Sequence, residues 1–135
     1  MFTWPVRVYY EDIDIGGVVY HANYLKFMER ARSEWLRALG FDQTILRERD
    51  GLLLVVISAD IQYLKPARFE DLLCVTAEFE SGRRTVMTFK QTIYRESIEG
   101  ERLITARVRA ACVNDGSFRP TALPEGMIAA MERLE

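Results

Sequence analysis

The chain has a single histidine, His21. That scarcity removes zinc centres built on HExxH or on several imidazoles. The cysteines, Cys74 and Cys112, are far apart, form no CxxC pair and lie in apolar stretches. Two buried thiols in a reducing compartment are therefore expected, not a disulfide. Lysine occurs only at Lys26, Lys65 and Lys90, so most positive charge is arginine. That bias suits bidentate contacts to carboxylate or phosphate, and it follows equally from GC-rich coding. Neither sign dominates: 18 Lys+Arg against 20 Asp+Glu leave −2. No global field is available to hold nucleic acid or anionic lipid. No apolar run approaches the roughly 18 residues of a membrane span, and Met1-Phe2-Thr3-Trp4-Pro5 lacks the basic-then-apolar order of a leader. A cytoplasmic protein without an integral membrane segment is expected. GxGxxG, GxxxxGK[ST] and GxSxG are all missing, so neither a nucleotide phosphate loop nor a nucleophile elbow is indicated.

What is present suffices for a core. The 135 residues are 49% hydrophobic and 28% charged, the composition of one globular domain, residues 1–135. A chain of this size buries roughly two-thirds of its unfolded surface without needing metals or disulfides. Val6 to Glu11 alternates and reads as a first strand with Pro5 at its beginning. From about Ala22 to Leu39, Leu25, Met28, Ala31, the Arg32 stem, Trp35, Leu36 and Leu39 recur at helical spacing, with Phe27 widening the stripe and Gly40 closing it. A short helix from an Asp42 cap to about Arg49 is expected, then strands at Leu52–Lys65, Leu72–Ser81, Thr85–Glu96 and Arg102–Val113, and a short helix around Gly126–Leu134. One long helix cannot cover a five-stranded antiparallel sheet, so the sheet should curl around it and leave its edges to another subunit.

The densest run of unusual residues is Tyr9-Tyr10-Glu11-Asp12-Ile13-Asp14-Ile15-Gly16-Gly17-Val18-Val19-Tyr20-His21-Ala22-Asn23-Tyr24. It puts carboxylates just after a strand and just before a helix, whose free N–H groups and dipole polarise a carbonyl oxygen. A carboxylate with a backbone oxyanion donor is a minimal acyl-transfer site. The same residues also read as turn formers and loop glycines.

That run, continued by Phe27-Met28-Glu29-Arg30-Ala31-Arg32, resembles the signature of hotdog-fold acyl-CoA thioesterases of the 4-hydroxybenzoyl-CoA thioesterase family. The likeness is to their YbgC-type branch, which is associated with the Tol-Pal envelope system. Tyr63-Leu64-Lys65-Pro66-Ala67-Arg68-Phe69-Glu70-Asp71 resembles the family's turn between its second and third strands. The resemblance implies an α+β hotdog fold, a curled five-stranded sheet around one long central helix. Copies would pair as a dimer or tetramer with active sites at the subunit boundary.

It also implies that Asp14, not Asp12, is catalytic, and that the backbone N–H of His21 polarises the thioester. Gly17, Tyr20, Lys65, Arg68, Arg83 and Arg84 are implied as substrate-binding, the arginine pair gripping coenzyme A phosphates or else solvating a hairpin end. Water would cleave an acyl-CoA or an acyl carrier protein thioester without metal or other cofactor, Asp14 either attacking the carbonyl or activating the water. Ile13 and Ile15 depart from the branch, where small or hydroxylated residues are commoner, and would flank the acid with bulk. Glu29 lies on the helix where some hotdog relatives place a catalytic carboxylate and reads here as a partner for Arg32 or Ser33, and Tyr9, Tyr10, Tyr20 and Tyr24 read mostly as packing residues with their hydroxyls partnered at the rim. The rival readings are a hotdog dehydratase of 3-hydroxyacyl thioesters, needing a His paired with an acid, and a non-catalytic docking module for acyl carrier protein or an envelope-division partner.

Overall fold

The computed structural model describes residues 1–133. The elements run β1 (Phe2–Arg7), a 3-10 turn (Tyr10–Asp12), α1 (Asn23–Ala38), α2 (Gln43–Asp50), β2 (Leu52–Tyr63), β3 (Leu72–Gly82), β4 (Val86–Arg95), β5 (Arg102–Asn114) and α3 (Met127–Arg133). All strand pairs are antiparallel, in the order β1-β3-β4-β5-β2. Irregularities at Val56/Ser58, Phe79/Ser81 and Ile93/Tyr94 interrupt the registers and bend the strands, as bulges do.

The first strand lies earlier than its alternation suggests. It covers Phe2–Arg7, with Pro5 inside it, because β1 is an edge strand on which a missing N–H costs no ladder bond. The extended run stops when the Asp12 carboxylate captures the Tyr9 amide at 2.9 Å and the chain turns over Tyr10–Asp12. In β5 the expected alternation holds: Ile104, Ala106, Val108, Ala110 and Cys112 are buried, while Arg107 and Arg109 are exposed.

The long helix packs against β1 and β3. Its buried stripe is Tyr24, Phe27, Met28, Ala31, Trp35 and Leu36. Leu25, expected in that stripe, is 42% exposed, because burial of Tyr24 and Met28 turns position 25 outward. The helix is not alone under the sheet. Asp42 caps α2 by accepting from Thr44 N and Ile45 N, and α3 buries Met127 and Met131 beside Trp35 and Leu46. Leu134, the expected end of that last helix, lies outside the described residues.

Two apolar clusters result, one around Val8, Phe27, Leu73, Ile93 and Ile104 and the other around Trp35, Met87, Phe89, Met127 and Met131. Gln91 stands on β4 between Ile93 and Phe89, fully buried. Its amide donates to Met28 O and Thr76 O, each at 3.1 Å, and its Oε1 accepts from Arg32 at 2.8 Å. The β3–β4 ladder opens there, between Val75↔Ile93 and Glu78↔Lys90, where the side chain takes over the backbone's partners. Leu73, with no exposure in the first cluster, offers a direct test of the core. Leu73→Ala is expected to lower unfolding free energy by about 2–5 kcal/mol, read from urea denaturation with an unchanged m-value.

Candidate active site

The site grows from a short hairpin. Asp14 N donates to Val18 O at 3.0 Å, Gly17 N returns to Asp14 O at 3.0 Å, and Ile13 bridges Val19. Gly17 takes φ +76°, the left-handed conformation that closes such a three-residue loop. The Asp14 side chain turns inward on its own loop, its Oδ1 accepting from Gly16 N at 2.8 Å. One carboxylate oxygen is thereby fixed, and Oδ2 has no partner among the described residues.

Asp12 does a different job. It is 5% exposed, and its two oxygens accept from Tyr9 N and from Asn23 Nδ2, both at 2.9 Å. Its carbonyl accepts from Tyr20 N at 2.8 Å. The first residue of α1 is thus tied to the turn ahead of the hairpin, so the helix start and Asp14 are held by one buried carboxylate.

At that helix start the N-cap is Ala22, which has no side chain to cap with. Asn23 N donates to Tyr20 O. Among the described residues, the amides of His21 and Ala22 donate to no backbone carbonyl, the free donors expected of an uncapped N-terminus. The Tyr63 hydroxyl donates to His21 O at 3.0 Å, holding that peptide from the far wall.

The opposing wall is the 64–71 turn. Val19 N donates to Ala67 O at 2.9 Å, Val18 bridges Arg68, and Ala67 N donates to the Tyr24 hydroxyl at 3.0 Å. Burial pushes the Tyr24 phenol above its ordinary range, against the lowering effect of the Ala67 bond, so it stays protonated. Arg95 ties the turn to the sheet through Asp71, Glu101 and the Pro66 carbonyl. Burial works against the Arg95 charge, but Glu101 and Asp71 outweigh it and raise its pKa. Lys65 pairs with Glu101 at 2.8 Å, and hydrogen bonds from Lys65 and Arg95 hold the Glu101 carboxyl below the usual range.

Between these walls lies an open pocket of about 340 Å³ that touches Asp14, His21, Tyr24, Tyr63 and Lys65. Asp14, His21 and Lys65, all expected from sequence, meet there. Gly17 shapes the hairpin behind the pocket, Tyr20 lays its ring 4.5 Å from that of His21, and Arg68 stands one residue from Ala67 beside Val18. Arg83 and Arg84 do not join them. They occupy the β3–β4 turn, where Arg83 N donates to Val86 O, at the opposite end of the sheet. The run along β4 from Val86 to Ile93, the row level with Tyr63, is roughly 23 Å.

Other expectations change. Ile15 is fully exposed at the hairpin tip and Ile13 packs against the core, so neither crowds the pocket. Tyr9, Tyr10 and Tyr20 are exposed and only Tyr24 is buried. Glu29 does accept from Ser33 Oγ, at 2.7 Å. Tyr63 and Tyr24 were missed as site residues. Their only sequence signal is position, at a strand end and in the first turn of a helix, and nothing in the chain shows that the two meet. Among the described residues no three His, Cys, Asp or Glu side chains converge to hold a metal ion.

The two acids differ in what replacement does. Asp12→Asn puts an NH₂ where only acceptors fit and is expected to cost about 1–3 kcal/mol of stability, seen as a lowered Tm. Asp14→Asn is expected to leave Tm nearly unchanged.

Residues 16–101 match the family model of the thioesterase superfamily. The acyl-CoA thioesterase YbgC of Haemophilus influenzae is 44% identical over 134 residues, covering 99% of this chain and 96% of the relative. The acyl-CoA thioester hydrolase YbgC of Escherichia coli O6:H1 is 42% identical over 134 residues, with 98% and 97% covered. A crystal structure of a probable thioesterase from Bartonella henselae, 36% identical, superposes with TM-score 0.85 over 92% of this chain and 100% of that one. With an α+β fold of matching topology and a near full-length likeness to YbgC proteins, this chain belongs to the thioesterase superfamily, in its YbgC group.

Proposed function

We propose that the chain works as one domain that hydrolyses acyl-CoA thioesters to a free acid and a thiol. Asp14 is the catalytic carboxylate and the His21 amide the oxyanion donor. The observation that carries this reading is that both line one pocket at a helix start whose first amides have no carbonyl to bind. A thioester oxygen seated at the His21 N–H gains a hydrogen bond and the positive end of the α1 dipole, which strengthen as negative charge develops. Asp14, anchored through Oδ1, turns Oδ2 to the carbonyl carbon or to a water beside it. Attack forms an acyl anhydride as the C–S bond breaks and the thiolate leaves, and water then opens the anhydride and yields its proton to the thiolate; in base action Asp14 takes a proton from water as the water oxygen adds to the carbonyl carbon, and returns it to the thiolate as the C–S bond breaks. In single turnover in ¹⁸O-labelled water, label in Asp14 identifies the anhydride route with water entering at the aspartyl carbon. Tyr63 is a positioning residue that steadies the His21 peptide.

Names of relatives favour acyl-CoA as the substrate, and the same chemistry serves an acyl carrier protein thioester. The free thiols Cys74 and Cys112 suit a reducing, cytoplasmic setting. No helix among the described residues is long and apolar enough to cross a membrane.

The test is steady-state kinetics on acyl-CoA with free-thiol detection. Asp14→Asn is expected to lower kcat about 10²- to 10⁴-fold. His21→Ala, which keeps the backbone donor, is expected to retain most of it. Loss in His21→Ala with survival of Asp14→Asn would point instead to the dehydratase, and no hydrolysis by the wild type to a docking module.

The arginine pair fits this reading through a second copy. β2 is a long unpaired edge with Val56 52% and Ile57 49% exposed, a surface that calls for cover. Pairing of two β2 edges about a two-fold axis is antiparallel. It lays the Tyr63 end of one copy beside the Leu52 end of the other, the end that carries Arg83 and Arg84. We therefore propose a homo-oligomer, dimer or tetramer, in which the second copy's arginines meet the coenzyme A phosphates. Light scattering is expected to report at least a dimer. Replacing both arginines with alanine is expected to raise KM for acyl-CoA and flatten its salt dependence, with a smaller effect on acyl-pantetheine thioesters.

A further inference from the structure

Besides Asp14, the polar side chains that line the catalytic pocket are His21, Tyr24, Tyr63 and Lys65. Tyr63 gives its proton to His21 O at 3.0 Å, and Lys65 Nζ donates to Glu101 at 2.8 Å. The His21 ring is exposed and lies against that of Tyr20. Tyr24 is placed differently. It is 3% exposed, its ring packs edge-on against Phe27 and Tyr63, and its oxygen is fixed by the Ala67 amide at 3.0 Å.

A phenol donates one proton besides accepting. Among the described residues the Tyr24 proton meets no acceptor, and Asp14 Oδ2 takes no donor. The two groups line one pocket and are not bonded to each other. Burial raises the phenol pKa, the Ala67 bond opposes the rise, and the nearby charge of Asp14 adds to it. The proton therefore stays on the Tyr24 oxygen at neutral pH. A buried donor without an acceptor is costly, and a water molecule answers both groups at once. It accepts from Tyr24, donates to Asp14 and keeps a lone pair for a carbonyl carbon.

We propose that Tyr24 is a further catalytic residue, which hydrogen-bonds the hydrolytic water and holds it between its hydroxyl and Asp14 Oδ2 at the thioester carbon. The proposal rests on hydrolysis at Asp14 and selects its general-base form. The water oxygen adds to the carbonyl carbon as Asp14 takes one of its protons. The C–S bond then breaks, and the leaving thiolate receives that proton from Asp14. Tyr24 keeps its own proton throughout, and the Ala67 amide fixes the oxygen that carries it. Misplacing a reacting group by about 1 Å costs on the order of 10²-fold in rate, which is the scale on which such a contact acts.

The test lets hydroxylamine, which attacks thioesters without a base, compete with water for an acyl-CoA that the full-length wild type turns over. Acid and hydroxamate are counted from the same reaction, less the enzyme-free background, so their ratio does not depend on how much enzyme is folded. Tyr24→Phe is expected to lower kcat for hydrolysis about ten- to hundred-fold with little change in KM, and to raise the hydroxamate-to-acid ratio about ten-fold. Arg95→Met loosens the same wall at Pro66 but leaves the phenol in place, and is expected to keep the wild-type ratio. An unchanged ratio in Tyr24→Phe, or an equal rise in Arg95→Met, overturns the proposal and leaves hydrolysis intact. Should Tyr24→Phe fail to fold, the wild type carries the test. Single turnover in ¹⁸O-labelled water is expected to leave Asp14 unlabelled, and label there overturns the proposal. No turnover of any acyl-CoA overturns the thioesterase reading as well.

Discussion

The buried carboxylate of Asp12 is the joint on which the site turns. An anion out of solvent is tolerable only when its oxygens are occupied, and here a backbone amide and the first side chain of α1 occupy them. Because those donors come from the end of the β1 run and from the helix, their demands fix where the intervening hairpin must stand. Asp14, two residues on, is left with one oxygen bound to its own loop. Two acids of the same kind, two residues apart, thus divide into a buried anchor and a half-buried carboxylate with one oxygen unpaired among the described residues, and the division follows from burial.

The placement of α1 governs what the hairpin faces. A helix of 16 residues on a five-stranded sheet has to choose which strands to cover, and this one covers β1 and β3. The β2 flank stays open, and the mouth of the candidate site and the exposed edge strand lie along it.

The polar row through the core has a comparable logic. Gln91 answers carbonyls of the helix and of β3 together, where a leucine would leave the Thr76 carbonyl without that donor and the ladder still open. That row separates the cluster beneath the site from the one closed by α2 and α3. It also holds the only half-buried guanidinium stem of α1 in register with Phe89 and Val56.

Strand alternation in β5, the α2 cap at Asp42 and the long helix were legible in the sequence, because each depends on residues within a few positions of one another. The Asp14 to His21 run was legible too, since a hairpin feeding a helix is a local construction and its motif is contiguous. Local pattern misplaced β1, where Pro5 is admitted only because the strand turns out to be an edge. It misjudged Tyr9, Tyr10, Tyr20 and Ile15, whose exposure depends on what happens to lie over them. Tyr63 and Tyr24 could not be joined to the site from sequence, because their meeting depends on β2 ending beside the first turn of α1. The separation of Arg83 and Arg84 from the pocket was equally hidden, being set by strand order across the whole sheet. The sequence by itself determined which groups exist and which neighbours in the chain they meet. Long-range pairing alone decided which of them share a pocket, because burial and free donors are properties of packed surfaces.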